Sequence, residues 1–109
     1  MAQAKQNLGY RLVKLDQRMA GHDIFTHKVV FSNIVFRKYE QAEKIMFEQR
    51  NWCWESFGPS MELDILYLLK RRSLLYGNYD LDWAWEHTGT RIAIYLKDSA
   101  LTAWQLKFL

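Results

Sequence analysis

One cysteine, one proline and five glycines among 109 residues leave little room for anything but a packed domain. Cys53 has no partner for an internal disulfide and fits a reducing compartment. The shortage of proline and glycine excludes collagen-like, low-complexity and long disordered chains. No apolar run approaches the roughly 20 residues needed to span a bilayer, so no membrane partner is expected. The opening residues Met1 to Asn7 are polar and lack an apolar h-region, which predicts a chain that is not secreted. Walker loops, Rossmann glycine patterns and Cys-x-x-Cys pairs are all missing.

What is present is apolar and aromatic volume. Half of the residues are hydrophobic and 16% are aromatic, enough for a core. One domain over residues 1–109 is expected, with 1–22 as an N-terminal arm or edge strand and 23–109 as an α+β core. The net charge is +3, too mild to imply nucleic acid by itself. Its distribution is uneven: residues 1–38 carry seven basic and two acidic side chains, and 39–66 carry two and six. Residues 67–109 carry six and four. An acidic middle between basic ends can orient a partner or drive self-association, against the plainer reading of ordinary solvated charge.

Leu8, Tyr10, Leu12 and Leu15 read either as an edge strand or as a short packed arm, and Gly21-His22-Asp23 as a turn. Residues 24–36 are dense in Ile, Val and Phe with neither face consistently polar, which predicts a central strand. From 38 to 56 the period changes to 3.6: Ala42, Ile45, Met46, Gln49, Trp52 and Cys53 share one arc of a helix, with Glu40, Lys44, Glu48 and Glu55 opposite. Gly58 and Pro59 end it. Met61 to Leu69 alternates as a strand would, and that reading is preferred to a helix from Ser60 to Tyr76. Residues 77–81 read as a loop. Trp83, Trp85 and His87, a turn at 88–90, and Ile92, Ile94 and Leu96 predict a hairpin. One helical turn capped by Asp98 and Ser99 and a final strand through Thr102, Trp104, Leu106 and Phe108 complete the order. The expected fold is α+β: an antiparallel sheet with one main helix on a face, a ferredoxin-like split βαβ arrangement with a reduced second helix.

Catalytic chemistry is sparse. Cys53 lies on the apolar arc, where a thiol is an inert packing residue. His22 and His27 are five apart and match no metal spacing; an acid–base pair of histidines with Lys28 or Arg91 has nothing tying it to one cleft. Asp80, Asp82, Glu86 and His87 read as a polar loop and strand end rather than a cation site. No catalytic residue, metal or cofactor is expected.

Two surfaces stand out instead. Phe47 and Trp54 are seven apart, on one helix stripe with Arg50 between them and Glu43 beside them, the composition of a protein-binding hot spot. The alternative is that the N-terminal arm, through Leu8, Tyr10 and Leu12, folds over this stripe. The second surface is basic: Lys70, Arg71 and Arg72 between Tyr67 and Tyr76, followed by Trp83 and Trp85, which suits single-stranded nucleic acid. Trp83 and Trp85 at period two also read as core.

Trp52-Cys53-Trp54-Glu55, Phe57-Gly58-Pro59-Ser60 with Glu62, Trp83-Ala84-Trp85, Arg91-Ile92 and Trp104-Gln105-Leu106-Lys107 together resemble small accessory proteins of tailed bacteriophages, over residues 25–109. That group has no common activity, so no residue role is inherited. The resemblance implies a setting: a host bacterial cytoplasm or a virion. The expected function is a non-enzymatic protein-interaction module that binds and occludes a host or phage protein. A single-stranded nucleic-acid binder is the alternative, and a small virion or assembly subunit, a homo-oligomer, the third.

Overall fold

The structure, a computed structural model, describes residues 9–31, 39–71, 81–89 and 91–109. In chain order these form β1 (Tyr10–Lys14), β2 (His27–Phe31), α1 (Tyr39–Phe57), α2 (Leu63–Arg71), β3 (Trp83–Thr88), β4 (Arg91–Leu96) and α3 (Asp98–Phe108). The four strands make one antiparallel sheet in the order β1-β2-β4-β3. The α+β class, the antiparallel sheet and the main helix on one face agree with the sequence. The connectivity sets two hairpins edge to edge, simpler than the interleaved strands of a split βαβ unit. Leu8, residues 32–38, Arg72, Tyr76 and the loop at 77–80 lie outside the described residues.

Strand alternation sorts the side chains to two faces. Register aligns Leu12, Val29, Ile94 and Trp85 across the sheet on one face, and Val13, Lys28, Tyr95 and Ala84 on the other. The first face is the larger core. Ala42, Met46 and Cys53 of α1 and Ala100 and Trp104 of α3 pack there on Val29, Phe31, Trp83, Ile92, Ile94 and Leu96. The helix arc read from the sequence is the buried one: Ala42, Met46, Gln49 and Cys53 are fully covered, while Lys44, Glu48 and Glu55 are exposed. Gly58, at φ +93°, turns the chain out of α1 with its N–H on the Trp54 carbonyl at 3.0 Å.

Two expectations fail in the second half. Residues 63–71 are helical, so the strand reading of 61–69 is wrong. Leu63 and Leu66 are the buried pair, three apart, against Phe25, Ala84, Ala93 and Tyr95. Of the alternating set, Ile65 lies exposed on the outer side of the helix, as does Leu68. Just before α2, Glu62 keeps a strand-like contact, a parallel bridge to Trp85. Residues 98–108 are likewise one helix rather than one turn and a strand. Ala100 and Trp104 are fully buried while Thr102 and Leu106 are exposed, a pattern of four that a helix gives and a strand, which would turn all four to one face, does not. The side chains of Asp98 and Ser99 anchor the start of α3 to other segments: Thr26 Oγ1 donates to Asp98 at 3.0 Å, and Ser99 Oγ donates to Asp82 at 2.9 Å.

Candidate interaction surface

Glu43, Phe47, Arg50 and Trp54 follow spacings of four, three and four along α1, so they form one stripe flanking the buried arc. On β3, period-two alternation sends Trp83, Trp85 and His87 to the face that α1 covers. The stripe and the strand meet. His87 Nε2 lies 2.7 Å from Glu43 Oε2, and the His87 ring stands edge-on to Phe47 with centroids 5.3 Å apart. The Arg50 guanidinium carbon sits 4.6 Å from the Phe47 ring centre and 5.4 Å from that of Trp85. Trp54 packs at 6.4 Å against both Trp83 and Trp85, themselves 5.3 Å apart.

The four stripe residues named from the sequence are therefore brought together, and Trp85 and His87 complete the set. The sequence hint for those two was the alternation on β3, which reads Trp85 as core or as part of the basic surface and His87 as a polar strand end. The N-terminal arm does not cover the stripe with Tyr10 or Leu12. Both stand on β1, at the opposite edge of the sheet from β3. Tyr10 packs against Phe31 and Trp104, and its hydroxyl donates to the Phe108 carbonyl at 2.7 Å.

Exposure within the cluster is graded. Trp83 is buried, Phe47, Arg50 and Trp85 are half-buried, and Trp54 is 46% exposed. Holding a guanidinium against two rings stabilises it by about 0.5–1 kcal/mol per ring at such depth. Among the described residues, Arg50 has no carboxylate within ion-pair distance. The surface thus offers an apolar indole face beside a positioned cation.

No family model, curated protein or solved structure matches this chain. The geometry has to carry the functional reading.

The remaining candidates are dispersed. Tyr67 is half-buried, its hydroxyl donating to the Asp23 carboxylate and accepting from the Gly21 N–H at 2.9 Å. Trp83, 1% exposed, donates its indole N–H to the Gly58 carbonyl at 2.9 Å. The buried Trp83 ring is closed to stacking on a base. Lys70 and Arg71 are exposed in the last turn of α2, while Arg72 and Tyr76 lie outside the described residues. The polar set around β3 is split, since Glu86 and His87 point to opposite faces of the sheet. Glu86 accepts from the Tyr95 hydroxyl at 3.1 Å, Asp82 accepts from Ser99, and Asp80 lies outside the described residues. No group of three potential metal ligands occurs among the described residues. His22 donates from Nδ1 to the Met19 carbonyl at 2.9 Å in an exposed turn, whereas His27 shares the α1 face of the sheet. Lys28 and Arg91 stand on the other face. Cys53 is enclosed in the core, and burial pushes its thiol up to about 12.

Proposed function

We propose that this chain is a non-enzymatic protein-interaction module whose contact surface is the α1–β3 ridge. The observation that supports the reading is the half-exposed Trp54, seated on Trp83 and Trp85 beside an Arg50 held against two rings. Rigid aromatic anchors next to an arginine are the residue types that dominate interface energies. Trp54 inserts into an apolar pocket of the partner, and Arg50 meets a carboxylate at its edge. The Glu43–His87 pair closes one end of the ridge. In the phage setting that the resemblance implies, the partner is a host protein whose surface is occluded.

The test is capture from a host lysate with wild-type protein, Trp54→Ala and Arg50→Ala, each variant checked for fold by circular dichroism and thermal melting. A protein retained by the wild type and lost with both folded variants is the expected outcome, Trp54→Ala weakening binding by about 2 kcal/mol or more. Capture that survives both substitutions would place the interface elsewhere. Unfolding of Trp54→Ala alone would make Trp54 a packing residue and leave Arg50→Ala to decide.

A further inference from the structure

The sheet face turned away from α1 is only partly covered. α2 packs over the end that carries Ala84 and Tyr95, and beyond it lies a cleft of about 560 Å³. Register lays Val30 of β2 beside Ala93 of β4, and these two apolar side chains belong to its lining. Ala93 stands between Arg91 and Tyr95 on the same face, packed in the cluster of Leu63, Leu66 and Tyr95 and bordering the cleft. Lys28 lies next to Tyr95 at one end, Arg91 four residues away at the other. That separation is roughly 13 Å along the strand, a span that two long cationic side chains can close from both ends. Arg18, from the β1–β2 connection, stands at the rim.

Charge in the cleft is one-sided. Among the described residues its lining holds three cations and one carboxylate, Glu86, which is fixed by accepting from the Tyr95 hydroxyl at 3.1 Å. Arg18 is paired with Asp16 at 3.1 Å. Among the described residues, neither Lys28 nor Arg91 has a carboxylate within ion-pair distance. An apolar floor, two uncompensated cations and one oriented acceptor form a set of groups for an organic anion that also carries a hydrogen-bond donor.

We propose that this cleft is a binding site for a small phosphate ester. Lys28 and Arg91 hold the phosphoryl oxygens, the carbon skeleton lies on Val30 and Ala93, and a hydroxyl or amine of the ligand donates to Glu86. A phosphoryl group suits the arrangement better than a carboxylate, because its three oxygens can be shared between an ammonium and a guanidinium arriving from opposite sides. The site is on the far side of the sheet from the Trp54 ridge and does not depend on it.

The experiment is a titration of the ¹⁵N-labelled chain at constant ionic strength with ribose 5-phosphate, adenosine 5′-monophosphate, inorganic phosphate and ribose. Saturable amide shifts at Val30, Glu86 and Ala93 with either ester, weaker ones with inorganic phosphate and none with ribose are expected. Arg91→Gln and Lys28→Gln, verified as folded by their spectra, should each weaken ester binding about tenfold. Glu86→Gln should weaken the esters and spare inorganic phosphate. Absence of saturable shifts with both esters up to about 10 mM overturns the proposal, as do equal shifts from potassium chloride alone. Affinity unchanged in both cation variants overturns it as well.

Discussion

The indole N–H of Trp104 donates to Gln49 Oε1 at 2.8 Å, across the interface between α3 and α1. Gln49 is 2% exposed and Trp104 fully buried, so this bond satisfies two polar groups inside an otherwise apolar cluster. A Gln49→Met substitution keeps the volume and leaves the indole N–H without an acceptor. The expected loss is about 1–3 kcal/mol, measured by urea denaturation. Trp104→Phe removes the donor instead, at the cost of a void. In the double variant no orphaned group remains, so its loss should be smaller than the sum of the two singles. Strict additivity would show that the bond contributes nothing specific.

Gly21 meets Tyr95 in a different way. Its φ is +90°, a left-handed backbone conformation, and a Cβ there would come within 2.9 Å of ring atoms of Tyr95. Its N–H also donates to the Tyr67 hydroxyl. Gly21→Ala combines backbone strain with a clash against a buried ring, and should cost about 2 kcal/mol or more. Gly58→Ala is the comparison, since nothing lies within 4 Å of a Cβ placed there, although its φ is also positive. A smaller loss at Gly58 than at Gly21 in thermal melts isolates the steric part.

α1 was legible because every signal agreed: its apolar arc, its charged back and its Gly-Pro stop all mark the same boundaries. The hairpin of β3 and β4 was legible for the same reason. Residues 61–71 were not, because Met61, Leu63, Ile65, Tyr67 and Leu69 satisfy the period of two while Leu63 and Leu66 satisfy the helical one. Burial decides between them, and burial depends on Phe25, Ala84 and Tyr95, contributed by distant segments. The stripe of Glu43, Phe47, Arg50 and Trp54 could be found from helix spacing alone. Its partners Trp85 and His87 could not, since no local pattern tells which helix flank a strand will meet. The cleft above Ala93 left no signal beyond a small residue in a bulky strand.

Alkaline titration should report the Tyr67–Asp23 contact. Burial, and then the hydrogen bond to Asp23, push the Tyr67 hydroxyl from its ordinary value of 10.0 up to about 12, and the same bond holds the Asp23 carboxyl below its usual range. The raised phenol contributes stability that is fully present below pH 10 and is lost as pH rises toward 12. The lowered carboxylate contributes stability present at neutral pH and lost as pH falls through the acid range. Tyr67→Phe should therefore be less stable at neutral pH by about 1–2 kcal/mol, with a shallower decline above pH 10 and below pH 4. Parallel pH–stability curves for the two proteins would mean that the contact does not persist in solution.

The last helix yields the sharpest test of fold, because the two readings of residues 102–108 assign Leu106 opposite environments. In a strand, Trp104, Leu106 and Phe108 share a buried face. In α3, Trp104 is fully buried beside Ala100, whereas Leu106 is 82% exposed. Leu106→Lys should then change stability by less than about 0.5 kcal/mol, and the added cation in the last turn of the helix is favourable to its dipole. Trp104→Ala empties a site in the main core and should cost about 3–5 kcal/mol. Guanidinium unfolding of the two variants side by side separates the readings. A Leu106→Lys loss as large as that of Trp104→Ala would mean that this segment is not helical.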